Sequence, residues 1–319
     1  MSTPSLFDPP PAFDRAKLAA TLRKLAAEGV WIGTSSWKYE GWMGQIYSRE
    51  RYLTRGRFSQ RYFESACLGE YAETFPIVCG DFSFYQFPSE EYWRRLFHSA
   101  PKSLHCAFKV PENITVKVFP VHARYGRHAG EENGSYLDAA LFEDAFLGPL
   151  APYRRQVAAL IFEFGTFSKR SYAGAGEFVA DLDRFLAAIP REWRYSVEIR
   201  NPEFLGPDYF ACLRAHGVAH VFNGWTRMPG IGRQIEEPGA FTAGFSVCRA
   251  LLARGRSYEN AVKIFSPYEK VQEPNPEARR AMRSLIARAR ERQEPAFIFV
   301  NNRLEGNAPE TIQAVVEDG

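Results

Sequence analysis

The sequence lacks the short motifs that would assign a reaction directly. No CxxC pair occurs among its 5 cysteines, and its 6 histidines form neither HExxH nor HxH. Because closely spaced Cys and His ligands are the usual sign of a zinc site, we assign no metal ligand and name no cofactor. A GxSxG elbow is missing, so a serine hydrolase of that type is not supported. Neither GxGxxG nor GxxxxGK[ST] follows the first predicted strand, which argues against a nucleotide-binding open sheet.

A strong excess of one charge and long apolar runs are also missing. The 319 residues carry 40 Lys and Arg against 37 Asp and Glu, a formal net charge of +3. That balance is too even to indicate nucleic-acid binding by itself, although it does not exclude a local basic patch. No apolar run could span a bilayer, and residues 1–11 are rich in proline without the pattern of a signal peptide. We expect a flexible tail over residues 1–13, reduced and buried cysteines, no membrane partner and a cytoplasmic protein.

Predicted strands and helices alternate through the rest of the chain, residues 14–319. The pattern predicts helices over residues 14–28, 58–74, 89–99, 136–153, 176–189, 207–217, 275–291 and 309–317. It predicts strands over residues 30–35, 77–83, 104–110, 157–164, 195–199, 218–223, 245–249 and 296–301. About eight such units without a linker predict an α/β fold with a single (β/α)8 TIM-like barrel. We expect irregularity at the long loop over residues 112–135, after the third strand. A doubly wound open sheet is the alternative.

Polar and charged residues stand at or just after the carboxyl ends of the predicted strands. The active sites of TIM barrels are built at that end, so we expect these side chains to form one polar pocket. Glu198 and Arg200 lie two residues apart and therefore face the same side of their strand. The candidate site residues are Thr34, Trp37, Asp81, Ser83, Tyr85, Lys109, Glu163, Glu198, Arg200, Asn223, Arg249, Asn301 and Asn302.

The residue types in this pocket favour acid/base chemistry on a small polar substrate. Glu163 and Glu198 are a candidate acid/base pair, and Lys109 is a candidate base, nucleophile or charge stabiliser. Arg200 or Arg249 could hold a carboxylate or phosphate through two parallel hydrogen bonds. We predict an enzyme acting on a small anionic or polyhydroxylated, sugar-like ligand. The class of reaction (hydrolase, lyase or isomerase) and the oligomeric state stay open.

Structural explanations compete with each of these roles. Glu198 and Arg200 could form an ion pair that plugs the barrel, and Lys109 could only neutralise a neighbouring carboxylate. Asp81 could cap a turn. Asn301 and Asn302 could satisfy backbone groups of a loop.

An aromatic group and a basic loop suggest two further features near the pocket. Trp37, Tyr39 and Trp42 could stack against a sugar or a base, or could simply cover the barrel mouth. The loop after the third strand carries Lys117, Arg124, Arg127 and two histidines. This loop is the basis of a second hypothesis, a barrel that binds a ligand or nucleic acid without catalysis. Of these partners, nucleic acid is not favoured. A metal-dependent phosphodiesterase is the third hypothesis.

Five sequence blocks, taken in order, resemble one known family. They are Ile32-Gly33-Thr34-Ser35-Ser36-Trp37 with Tyr39, Gly41 and Trp42; Tyr71-Ala72-Glu73-Thr74-Phe75 with Ser83-Phe84-Tyr85 and Pro88; Phe108-Lys109-Val110-Pro111; Val197-Glu198-Ile199-Arg200-Asn201-Pro202; and Val300-Asn301-Asn302 with Gly306, Asn307 and Ala308. The blocks are similar to those of the YecE-like family, also called the domain of unknown function 72. They extend over nearly all of the chain after about residue 30.

The resemblance implies a TIM-barrel-like fold and supplies no reaction. The chain departs from the family's usual pattern at two candidate site positions. The second strand reads Cys79-Gly80-Asp81 where relatives tend to have Glu, an apolar residue and Asn. The sixth strand ends in Asn223 where relatives often have Asp. These changes are consistent with altered chemistry or with a subgroup that binds without catalysing.

Overall fold

The fold is a closed barrel of parallel strands surrounded by helices. A computed structural model describes residues 13–317, and within that range eight strands form one closed parallel barrel. Each strand pairs with the next along the chain, and the last pairs with the first. The strands are β1 Val30–Thr34, β2 Ile77–Gly80, β3 His105–Lys109, β4 Val157–Phe164, β5 Tyr195–Ile199, β6 Ala219–Gly224, β7 Ser246–Ala250 and β8 Ala296–Val300. The predicted α/β class and TIM-like barrel are confirmed.

Helices pack around the outside of this barrel. Several begin at polar caps: Asp14 accepts the backbone N–H of Lys17 at 2.9 Å, and Ser89 accepts that of Tyr92 at 3.2 Å. Such caps satisfy N–H groups that have no partner within the helix. The main helices are α1 Arg15–Ala27, α2 Gln60–Ala72, α3 Glu90–Ser99, α4 Ala175–Ala188, α5 Pro207–Ala215, α6 Ile231–Glu236, α7 Tyr258–Phe265, α8 Pro276–Arg292 and α9 Ala308–Glu317.

Two of these helices lie in connections for which the sequence analysis predicts no helix. They are α6, after β6, and α7, after β7. The hydroxyl of Ser257 caps α7 by accepting the N–H of Asn260 at 3.1 Å. The predicted helix over residues 136–153 is interrupted, because a wider π-helical turn at Glu143–Leu147 separates Ala139–Phe142 from Gly148–Leu150. Periodicity locates long amphipathic helices well and short or broken ones poorly.

Alternation along the strands gives the barrel interior an apolar part and a polar end. The apolar part is filled by Ile77, Cys79, Ala107, Ala158, Ala159, Ile161, Ala219, Val221, Val247, Phe297 and Phe299. Side chains two residues apart in a strand face the same way. Lys109 therefore follows Ala107 into the interior, and Arg249 follows Val247. The apolar layers form the floor beneath the charged residues at the carboxyl ends.

The long loop after β3 has structure of its own. It opens with the short helix Glu112–Thr115, and Val118 pairs with Glu132 in an isolated antiparallel bridge. Arg124 and Tyr125 both donate hydrogen bonds to the carboxylate of Glu112, at 2.6 and 2.9 Å. These contacts fold the middle of the loop back onto its beginning.

Three further expectations concern cysteines, membranes and the tail. All five cysteines are buried and unpaired, as predicted. Between residues 13 and 317, no helix has the length and apolar character needed to cross a membrane. Of the predicted tail, Phe13 is described and packs against the core. The rest of that prediction lies outside the described residues.

Candidate functional site

Six charged side chains from five strands and their ends meet at the carboxyl end of the barrel. Because each belongs to the inward-facing series of its strand, closure of the barrel brings them together. Glu163 and Glu198 are direct neighbours across β4 and β5, at the same level of the sheet. We call the set the charge cluster; its members are Asp81, Lys109, Glu163, Glu198, Arg200 and Arg249.

Arg249 lies at the centre of the charge cluster. Its side chain is 2% exposed, and its Nη1 donates to Glu163 Oε2 at 2.7 Å and to Glu198 Oε2. Its Nη2 donates to Asp81 Oδ1 at 3.1 Å. Burial by itself would lower the pKa of this guanidinium, but Glu198 and Asp81 raise the pKa well above its ordinary value. One arginine thus joins carboxylates that come from three different strand ends.

Glu163 is contacted by three cations. Arg200 Nη2 lies 2.9 Å from its Oε1 and Lys109 Nζ lies 2.9 Å from its Oε2, and Arg249 Nη1 donates to the same Oε2. Burial alone would raise the pKa of this carboxyl, but Arg200, Lys109 and Arg249 together hold the pKa below its ordinary value. Glu163 is therefore a carboxylate, not a carboxylic acid, at neutral pH.

Lys109 lies beside two carboxylates and shares the Oε2 of Glu163 with Arg249. Its ammonium group is 2.9 Å from Glu163, 3.9 Å from Asp81 and 3.8 Å from the centre of the Phe84 ring. The geometry matches the structural alternative, in which Lys109 neutralises a neighbouring carboxylate.

Arg200 links the buried charges to the mouth of the barrel. As the spacing predicts, it faces the same side as Glu198, and its Nε and Nη2 donate to Glu198 Oε1 at 3.2 and 3.0 Å. The guanidinium lies over the ring of Trp225, 3.7 Å from its centre, and the side chain is 13% exposed. Sequence reasoning missed Trp225, although it directly follows β6 and so lies where site residues were expected.

The charge cluster is balanced in charge and opens to solvent on one side. It contains three cations and three carboxylates among the described residues. Glu198 is fully buried, whereas the side chain of Asp81 is 31% exposed. Asp81 does not cap the following turn through its side chain, since its carboxylate is bound to Arg249. A ligand approaching from the mouth would reach Asp81 and Arg200 first.

Five of the predicted site residues form mainly hydrogen bonds to the backbone: Thr34, Ser83, Asn223, Asn301 and Asn302. The Thr34 hydroxyl donates to the Ser36 carbonyl at 2.6 Å, and the Ser83 hydroxyl donates to the Lys109 carbonyl at 2.7 Å. The amide of Asn223 donates to carbonyls of β5 and β6. Asn301 accepts the N–H of Arg303 at 3.0 Å, and Asn302 accepts that of Ala308 at 2.8 Å. These residues fix the loops around the cluster. Among residues 13–317, the buried Oδ1 of Asn223 has no hydrogen-bond partner.

The aromatic residues predicted as a stacking platform do not form one. Trp42 is completely buried, and its Nε1 donates to Asn302 Oδ1 at 3.2 Å, so it offers no surface to a ligand. Trp37 is buried as well and packs edge-on against Phe82. Tyr39 is partly exposed, and burial raises its pKa to about 12.

The remaining predicted residues lie at the edge of the mouth. Tyr85 is 57% exposed, with the Arg124 guanidinium 5.0 Å from its ring centre. Two cations of the basic loop have acidic partners: Lys117 lies 3.3 Å from Asp181, and Arg124 lies 2.6 Å from Glu112. The loop therefore presents less free positive charge than its sequence suggests.

Potential metal ligands occur elsewhere on the molecule. In the range 13–317, the three residues whose ligand atoms lie within 4.8 Å of one another are Asp183, Cys212 and His216, on the outer helices. The carboxylates of the charge cluster are instead each bound to a guanidinium or an ammonium. The structure thus offers no set of free carboxylates there for a phosphodiesterase metal.

The chain is similar to proteins that share a domain of unassigned function. A family model described as "Protein of unknown function DUF72" matches residues 31–318. No curated protein matches the chain.

Two solved structures show the same fold. A DUF72 family protein from Thermotoga maritima is 17% identical, with a TM-score of 0.57, and the match covers 91% of this chain and 98% of that one. A DUF72 family protein from Enterococcus faecalis is 15% identical, with a TM-score of 0.59, and the match covers 90% and 95% of the two chains. At these identities the likeness concerns the fold alone.

Proposed function

Since the chain belongs to the family described as "Protein of unknown function DUF72", which names no reaction, we propose a function from the charge cluster itself. The protein is an enzyme that acts on a small anionic or sugar-like substrate by acid/base chemistry at the carboxyl end of the barrel. The substrate binds over the side of the cluster that Asp81 and Arg200 open to solvent.

The observation that carries the proposal is a set of six mutually paired charges at this end of the barrel, four of which are buried: Lys109, Glu163, Glu198 and Arg249. Taking an ion out of water costs several kcal/mol, and packed apolar side chains of similar volume often stabilise a fold as well or better. A stability requirement alone therefore explains the cluster poorly. Fixed charges in a site with little water are what stabilise charge that develops during a reaction.

The contacts suggest a division of roles among the residues. Every carboxylate oxygen of Glu163 and Glu198 contacts a cation, so we assign these two to holding the cations in place, in revision of the predicted acid/base pair. Asp81 is the most exposed carboxylate of the cluster and becomes the proton acceptor.

The cations receive the complementary roles. Arg200, backed by Trp225, binds the anionic group or the hydroxyls of the substrate. Lys109 and Arg249 stabilise negative charge that develops as the proton is removed. Thr34, Ser83, Asn223, Asn301 and Asn302 support the surrounding backbone.

The first prediction tests Asp81 and Arg200, the two partly exposed members of the charge cluster, in separate variants. Wild-type protein is screened against a panel of sugar phosphates, hydroxy acids and free sugars, with thermal unfolding to detect binding and proton NMR to detect turnover. Asp81→Asn should keep the ligand-induced thermal shift and lose about 100-fold or more of the turnover, because general base catalysis contributes on that order. Arg200→Gln should lose the thermal shift.

Arg233→Gln is the matched control, because Arg233 is exposed and pairs with Glu236, which does not belong to the charge cluster. It should behave as wild type. Full turnover in Asp81→Asn would exclude the assigned proton acceptor. A bound panel compound that no variant and no condition converts would instead favour the non-catalytic binding barrel.

A further inference from the structure

A cavity lies at the end of the barrel opposite the charge cluster, where β3, β4 and β5 begin. Its volume is about 730 Å³, within the range of about 300–1,000 Å³ that is usual for small-molecule sites. The turns that precede β4 and β5 form most of its wall. The residues used below are His105, Arg154, Arg155, Arg191, Glu192 and Arg194.

The lining of this cavity is strongly basic. Four arginines face one glutamate, a formal excess of three positive charges, which equals the net charge of +3 of the whole chain. Like charges gathered around one space repel each other, so the cavity attracts anions.

The four guanidinium groups are free to bind a ligand. Within residues 13–317, none of them forms an ion pair or donates a hydrogen bond to the protein, in contrast to Arg249 at the other end. Arg154 lies 6.0 Å from the ring centre of Trp193, and Arg194 lies 5.9 Å from that of Phe297. Ring contacts position a guanidinium without using its N–H donors.

A histidine adds a further polar group to the same wall. His105 packs against Trp31 with 4.4 Å between ring centres, and its Nδ1 is buried. Burial lowers the pKa of His105, a backbone hydrogen bond at Ser103 opposes that shift, and the charge of Arg194 adds to it. An anion bound beside the imidazole would raise the pKa of His105, because negative charge favours the protonated ring.

We propose that this cavity is a binding site for a small molecule that carries two or more phosphate groups. Arginine matches phosphate because its planar fork donates two parallel hydrogen bonds, and four forks exceed what a single phosphate can use. The concave shape favours a compact polyanion over nucleic acid, whose backbone is normally tracked by an extended basic stripe.

The proposal is tested with inorganic triphosphate as the probe, by isothermal titration calorimetry of the full chain. Wild-type protein should bind triphosphate more tightly than inorganic phosphate, and added salt should weaken the binding. The double variant Arg154→Gln/Arg194→Gln should bind triphosphate at least about tenfold more weakly than the wild-type protein does. Triphosphate should also raise the pKa of His105, as followed by NMR.

Matched controls separate this site from general charge and from the charge cluster. Arg184→Gln/Arg233→Gln removes the same charge from two exposed arginines elsewhere, and Arg200→Gln alters the proposed substrate site. Both should keep wild-type affinity for triphosphate, whether or not the proposed function holds.

Three results would overturn the proposal: no binding by wild-type protein at millimolar triphosphate, equal losses in a control and the cavity variant, or tighter binding of a single-stranded DNA oligonucleotide that depends on Arg154 and Arg194.

Discussion

The guanidinium of Arg249 touches carboxylates from three strand ends, and each of those carboxylates lies near a second cation. Removing Arg249 would therefore leave negative charges buried with fewer partners. A buried charge that loses its partner destabilises a protein far more than the intact pair stabilises it.

We expect Arg249→Met to lower the free energy of unfolding by about 3–5 kcal/mol at neutral pH, because it leaves Glu163 and Glu198 undercompensated. Urea unfolding measures the change. Adding Glu198→Gln to the variant should restore part of the loss. An exposed substitution, Arg233→Met, serves as the control and should change the stability little. If Arg249→Met unfolds like wild type, the central role of Arg249 is incorrect.

At the residue scale, the sequence indicated which groups lie near the site but not what each one does. Lys109, Glu163, Glu198, Arg200 and Arg249 all lie at the barrel end where alternation placed them. Their roles depend on distances across the barrel, which alternation does not contain. Trp42 illustrates the limit: an aromatic residue in a loop after a strand was consistent with an exposed platform, yet it is completely buried.

At the element scale, the spacing between β1 and β2 depends on a residue without a side chain. A Cβ on Gly33 would lie 1.8 Å from the carbonyl oxygen of Ile77 on the neighbouring strand. Since that oxygen belongs to the backbone, the two strands would have to separate.

We predict that Gly33→Ala lowers the free energy of unfolding by about 1–3 kcal/mol or more, as overpacked positions do. Gly69 in α2 is the matched control, since a Cβ there meets nothing within 4 Å. Gly69→Ala should stabilise the protein by about 0.5–1 kcal/mol, because alanine is the better helix former. Thermal and urea unfolding distinguish the two; equal effects would contradict the close strand contact.

At the scale of the whole molecule, pH acts on the fold through buried titratable groups. His220 on β6 is buried among Tyr209, Phe210 and Phe222. Burial lowers its pKa from 6.5 to about 4. Between these two values the unfolded chain binds a proton that the folded chain does not, so stability is lost as the pH falls through this window.

We expect this histidine to contribute about 3 kcal/mol to the loss of stability between neutral pH and the lower end of that window. His220→Gln should show a correspondingly flatter dependence, measured by urea unfolding at a series of pH values. The carboxyl of Glu163, whose pKa is held below its ordinary value, adds a further loss at lower pH that the variant retains. If the free energy of unfolding falls with pH equally in wild type and variant, His220 is not held neutral in the folded protein.

The sequence by itself determined the order of the barrel strands, the long helices between them and the polar ends of the strands. These features follow from the short repeats of local structure, about 2 residues in a strand and 3.6 in a helix. Only the tertiary structure decided the pairing of Arg249 with Asp81, which is 168 residues away, and the gathering of four arginines at the opposite end. Both depend on how the ring closes and which side chains then lie face to face, and no local pattern records that geometry.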